Sequence, residues 1–103
     1  MIKYLGSQKK KTISIGGNSS LVFASASSLD QGVYRVYEST SPQDHVSIFW
    51  NGSIYTVISF PDSKFIRQNL SIADKFCFYI DNTNLMIKNN FSVSKTIITW
   101  LEN

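Results

Sequence analysis

His45-Val46-Ser47-Ile48-Phe49-Trp50-Asn51-Gly52-Ser53-Ile54-Tyr55-Thr56-Val57-Ile58-Ser59-Phe60 sets two β-rich runs on either side of an Asn-Gly dipeptide. Asn and Gly both tolerate positive φ, which a type I′ turn needs at its two central residues. Asn-Gly between hydrophobic runs therefore predicts a hairpin with a two-residue loop. Such a loop fixes the register. Trp50 faces Ser53, Phe49 faces Ile54, Ile48 faces Tyr55, Ser47 faces Thr56, Val46 faces Val57 and His45 faces Ile58. Opposed residues share a face, so Val46, Ile48, Trp50, Tyr55 and Val57 form a core face. His45, Ser47, Phe49, Ile54, Thr56 and Ile58 form a mixed face. Its Phe49, Ile54 and Ile58 call for cover from a second layer, a loop or a neighbouring subunit.

Outward from the hairpin, the same period of two recurs. Lys11-Thr12-Ile13-Ser14-Ile15 alternates polar and apolar, and Gly16 to Ser20 supplies a turn. Leu21 to Ala26 and Gly32 to Glu38 are the next strands, the latter with Val33, Arg35 and Tyr37 on one face and Tyr34, Val36 and Glu38 on the other. After the hairpin, Pro61 stops the ladder, because proline cannot donate to it. Lys64 to Arg67 reads as a short edge strand, and Ser71 to Asp74 as a single helical turn. Lys75 to Ile80, Leu85 to Lys88 and Lys95 to Leu101 form a closing meander, with Asx-rich turn chemistry at Asp81 to Asn84. About eight short strands with turn signals every ~8–12 residues predict an all-β fold, an antiparallel β-sandwich of jelly-roll-like or Greek-key type. Residues 1–10 read as a basic N-terminal arm and 11–103 as one sandwich domain.

The chain has 103 residues, 43% hydrophobic and only 17% charged. That supports one packed core with a Ser-, Thr- and Asn-rich surface. The net charge of +3 is concentrated at the start, where Lys3, Lys9, Lys10 and Lys11 stand without an acid among them. The remaining six Lys/Arg against seven Asp/Glu leave the body slightly acidic. A nucleic-acid groove needs a basic body beside its aromatics, so nucleic acid is not the expected partner. The Lys9–Lys11 run reads more simply as a solvated entry to the first strand. Cys77 is the sole cysteine, so no intrachain disulfide forms, and its apolar strand predicts a buried thiol. The first residues lack a signal-peptide core, and no apolar run has membrane-spanning length, so the reading is a chain made in the cytoplasm with no membrane contact.

Catalysis requires converging titratable groups. His45 is the sole histidine, and Asp44 beside it offers an orienting carboxylate, but no nucleophile signature accompanies the pair. One His and one Cys cannot complete a zinc site. Asp81, Asn82 and Asn84 resemble the start of a calcium loop without its later Gly and Glu. The acids fall mostly at turns, where solvation places them. No enzyme activity and no cofactor is predicted. The four Asn-x-Ser sequons, at Asn18, Asn51, Asn69 and Asn90, carry weight only in a secretory setting.

Two binding readings remain. Strands with apolar residues on both faces need more cover than a small sandwich supplies, which predicts a protein interface at Phe49, Ile54, Ile58 and Tyr79. Among Trp50, Tyr34, Tyr37, Tyr55, Tyr79 and Trp100, the alternative picks Trp50, Tyr55 and Tyr34 as an exposed platform for a glycan or host receptor. The opening Lys-Thr-Ile-Ser-Ile, then Gly32-Val33-Tyr34, then the ending from Asp74-Lys75-Phe76-Cys77 through Leu85-Met86-Ile87-Lys88-Asn89-Asn90 to Lys95-Thr96-Ile97 resemble small all-β modules of bacteriophage virions. Those are decoration, tail-fibre and receptor-binding modules. The resemblance implies a non-enzymatic structural component of a virion. It would form a homo-oligomer, with a trimer among the candidate states, and pack on other capsid or tail proteins.

Overall fold

The computed structural model describes residues 8–42, 45–59, 65–66 and 69–102. Nine strands follow in chain order: β1 (Gln8–Ile15), β2 (Ser19–Ala24), β3 (Gly32–Glu38), β4 (Val46–Trp50), β5 (Tyr55–Ser59), β6 (Phe65–Ile66), β7 (Phe76–Asp81), β8 (Asn84–Asn89) and β9 (Lys95–Glu102). They form a five-stranded sheet, β1-β9-β3-β4-β5, packed on a four-stranded sheet, β2-β8-β7-β6. The all-β sandwich is thus as the strand pattern predicts. Every pairing is antiparallel except β6 with β7, which is parallel. β5 belongs to the first sheet, and β6 lies in the second, on the side of β7 away from β8.

The first and last thirds of the chain meet as one long ribbon. In the first sheet β1 pairs with β9, and in the second β2 pairs with β8. The ribbon folds over the edge of the sandwich, the device by which jelly rolls close. The corner is built around Asn89, which is fully buried. Its Nδ2 lies 3.0, 3.2 and 2.9 Å from the carbonyls of Ile15, Gly16 and Val93, and its Oδ1 accepts from Phe91 N at 2.8 Å. One side chain thereby satisfies carbonyls on both halves of the bend, where the ladder is interrupted. Gly17 is required there: a Cβ would sit 2.5 Å from the Ser92 carbonyl oxygen.

The core fills the space between the sheets. Ile15, Tyr34, Val36, Val46, Ile48, Trp50 and Ile97 point inward from the first sheet, against Phe23, Phe65, Phe76, Phe78, Leu85 and Ile87 from the second. Aromatic edges meet faces at Phe23–Tyr34 and Phe23–Phe78, with centroids 4.9 and 5.4 Å apart, in the geometry aromatic quadrupoles favour. The polar tips find partners at the margins. Trp50 Nε1 donates to the Ser25 carbonyl at 2.6 Å, Tyr34 Oη to the Asp30 carbonyl at 2.6 Å, and Tyr55 Oη to the Phe78 carbonyl at 3.0 Å.

The β4–β5 hairpin forms, but its turn is displaced. Trp50 pairs with Tyr55, Phe49 with Thr56 and Ile48 with Val57, two residues from the register set by an Asn51-Gly52 loop. The central pair is Gly52-Ser53. Gly52 takes φ +94° while Asn51 stays at negative φ, and Gly at the first central position is the type II′ arrangement. Asn51 Oδ1 accepts from Ser53 N at 2.8 Å and Ile54 N at 2.9 Å. Its side chain caps the loop, so the left-handed backbone is not needed. A shift of two preserves side-chain parity. Val46, Ile48 and Trp50 are therefore fully buried, with Tyr55 and Val57 half-buried on the same face. A bulge between Ser47 and Ile48 then pairs Ser47 with Ser59.

Two local readings are corrected. Ser71 to Asp74 forms no helical turn: residues 71 and 72 are irregular and Asp74 takes φ +62°. The basic run Lys9–Lys11 is not an arm: β1 begins at Gln8, so Lys9 and Lys10 join the strand that the sequence starts at Lys11. Residues 1–7, and Asp44 with its pairing to His45, lie outside the described residues.

Candidate functional site

The outer face of the five-stranded sheet holds the largest set of uncovered apolar side chains that the strand periodicity places together. Phe49 on β4, Ile54 in the hairpin loop and Ile58 on β5 are 40%, 59% and 56% exposed. Phe49 has Val33 opposite it on β3 and Thr56 opposite it on β5. Ile54, opposite Asn51, lies two pairs further toward the loop, on the same side. These positions alternate with the inward-facing Ile48, Trp50 and Val57, so burial of the core leaves them outward.

The next row on this face is aromatic and cationic. Trp100 on β9 stands between Lys10 on β1 and Arg35 on β3. Lys10 Nζ lies 5.6 Å from the indole centroid, within cation–π range. Trp100 Nε1 donates to Tyr37 Oη at 3.5 Å, a long contact. The cluster needs β1, β9 and β3 side by side, a pairing between the two ends of the chain that local pattern does not contain.

Tyr79 does not join the other three interface candidates. It lies on β7, in the other sheet, half-buried, and its hydroxyl donates to Ser20 Oγ at 2.9 Å. The aromatic platform proposed from Trp50, Tyr55 and Tyr34 is also not assembled. Trp50 is fully buried and Tyr34 is 4% exposed. Both rings face the core because their strand neighbours of like parity do. Tyr55 points inward beside Phe78. No ring face of Trp50 or Tyr34 is open to a sugar.

The remaining chemical candidates dissolve into structure. Cys77 is buried, although it lies on the outward side of β7. The connector before β7 covers it: the thiol donates to the Leu70 carbonyl at 3.2 Å, and Asn90 Nδ2 reaches both that carbonyl, at 2.7 Å, and the sulfur, at 3.3 Å. Asp81 and Asn84 pair directly across the β7–β8 turn, with Asn82 at φ +59° between them. This is hairpin geometry. Among the described residues no three His, Cys, Asp or Glu side chains come together as a metal site, and no helix is long and apolar enough to cross a membrane.

A second feature lies between the sheets, at the end of β1 and β9 remote from the Asn89 corner. Lys11 pairs with Thr99 and Lys9 with Leu101. All four share parity with the inward-facing Ile13 and Ile15. With Leu29 and Tyr34 they line a cavity of about 280 Å³. Thr99 is 2% exposed, and its hydroxyl has no hydrogen-bond partner among the described residues. Burial, then the nearby Asp30 carboxylate, push the Tyr34 phenol up to about 12, so it stays neutral at ordinary pH.

No known protein family, curated protein or solved structure matches this chain.

Proposed function

We propose that this domain is a non-enzymatic packing module that assembles through the outer face of its five-stranded sheet, first with a second copy of itself. The observation that carries the reading is the contiguous exposure of Phe49, Ile54 and Ile58 beside Val33. Scattered exposed apolar residues are ordinary, but a clustered patch with polar surroundings marks a contact surface. The same face bears Lys10, Arg35 and Glu102. Both signs are present, so a copy of the chain can oppose unlike charges across the contact. A virion is the narrower setting of this reading, with other capsid or tail proteins as further partners. It rests on the resemblance of the strand-and-turn layout to phage modules. The glycan alternative loses its support with the burial of Trp50 and Tyr34.

The test is light scattering after gel filtration at increasing micromolar concentration. The wild-type mass should rise above the 11.7 kDa of the monomer. Phe49→Ser with Ile58→Ser should return it to the monomer mass with the fold retained. A wild-type monomer at every concentration would sink the proposal for self-assembly.

A further inference from the structure

We propose that the cavity between the sheets, lined by Lys9, Lys11, Leu29, Tyr34, Thr99 and Leu101, binds a small organic carboxylate. The size, about 280 Å³, is at the low end for small-molecule sites. The chemistry is divided between a charged side and an apolar side. Lys9 and Lys11 project from β1 on the side of the strand that faces the opposite sheet, directly across from Leu101 and Thr99. Among the described residues neither lysine forms an ion pair. Their long stems can lie along apolar surface while the ammonium groups reach the opening. Leu101 supplies an apolar wall from within, and Leu29, 69% exposed, supplies one from the short 3-10 turn Ser28–Asp30.

Thr99 adds a second, independent indication. A buried hydroxyl without a partner is uncommon in folded proteins, and valine would fill the position without a polar atom. Rotation about its χ1 exchanges hydroxyl and methyl between staggered positions, which would bring the donor to a ligand oxygen. Tyr34 cannot serve as that donor, because its proton is committed to the Asp30 carbonyl. The Asp30 carboxylate also lines the cavity, but its Oδ2 is held by Ser25 N and Ser25 Oγ at 2.9 and 2.8 Å. Lys10 turns to the outer face over Trp100, so Lys9 and Lys11 stand against this one engaged carboxylate and leave the cavity net cationic.

A carboxylate fits this arrangement better than a bare phosphate. Two oxygens are satisfied by the lysines and one hydroxyl, and the attached apolar body is matched by Leu29 and Leu101. Phosphate has nothing to set against the apolar walls of Leu29 and Leu101.

The experiment is an amide NMR titration of the full chain with hexanoate, with 1-hexanol and inorganic phosphate as separate arms. Saturable shifts centred on Leu29, Thr99 and Leu101 are expected with hexanoate. Hexanol should bind at least about tenfold more weakly, and phosphate at equal concentration should not displace hexanoate. Lys9→Gln with Lys11→Gln should weaken hexanoate by at least about tenfold, and Thr99→Val by a few-fold, with the remaining spectrum unchanged. These lysines are exposed, so their loss does not threaten folding. Absence of saturable shifts at these residues overturns the proposal. So does equal binding of hexanol, displacement by phosphate, or an affinity indifferent to the lysine substitutions.

Discussion

The two faces of the five-stranded sheet are written by the same strands and meet opposite fates. On β4, Val46, Ile48 and Trp50 are fully buried, while the intervening Phe49 is 40% exposed. On β3, Tyr34, Val36 and Glu38 are buried and Val33, Arg35 and Tyr37 are not. The inner face is closed by a whole second sheet and by margins that satisfy its polar tips. The outer face has hydrophobic side chains of similar size and no described element over it. The second sheet shows what local cover looks like: its outward Cys77 is sealed by the backbone around Leu70 and by Asn90. Nothing comparable lies over Phe49, Ile54 and Ile58 among the described residues. The difference separates residues that fold the chain from residues that the proposed contact would cover.

Substitutions on the two faces should therefore break apart in stability. Trp50→Ala removes the largest buried side chain and its hydrogen bond to Ser25. It should cost about 3–5 kcal/mol in denaturant unfolding. Asn89→Ala keeps the core volume nearly intact but leaves the corner carbonyls of Ile15, Gly16 and Val93 without their donor. Unfolding should show a loss of about 1–3 kcal/mol, and amide exchange should quicken at the corner before the strands. An effect below that range would mean that water replaces the side chain there.

Tyr34 sharpens the contrast through pH. Its phenol is raised from 10.0 to about 12 in the folded chain, so between those values the unfolded state loses a proton that the native state keeps. Stability contributed by the neutral phenol is fully present below pH 10 and falls as pH rises from about 10 to about 12. Ultraviolet titration should show one of the five tyrosines ionising late, and Tyr34→Phe should abolish that late phase. The smallest effect belongs to the outer face. Phe49→Ser or Ile54→Ser should change monomer stability by no more than about 0.5 kcal/mol. A loss comparable to that of Trp50→Ala would show that these side chains are core, and the proposed division between faces would fail.

The division of faces was legible in the sequence because strand parity survives an even error in register. The Asn51-Gly52 turn did not form as the dipeptide suggests, yet the shift of two left the paired residues from Ile48 to Val57 on their predicted sides, up to the bulge at Ile58. What pattern could not show is which surface lies over each face. Tyr79 looks like Phe49 in its own strand, but β7 and β4 belong to different sheets, and sheet membership depends on crossings such as that from β8 to β9. Trp50 and Tyr34 looked like ligand-binding aromatics by residue type, while their parity with Ile48 and Val36 committed them to the core. The lysines gave the weakest local signal. Their strand assignment, and the meeting of Lys11 with Thr99, follow from pairing between residues 88 positions apart. On an edge strand such lysines also discourage pairing by another chain, which agrees with the proposed contact being on the sheet face.

The most direct measurement follows Trp100, the outward tryptophan, in a Trp50→Phe background that silences the buried one while retaining an aromatic core residue. Acrylamide quenching is read across the concentration range in which light scattering reports association. If the outer face is the contact, Trp100 should become progressively protected as mass rises, and Phe49→Ser with Ile58→Ser should remove both changes together. Assembly with Trp100 quenched equally at every concentration would contradict the account and place the contact elsewhere.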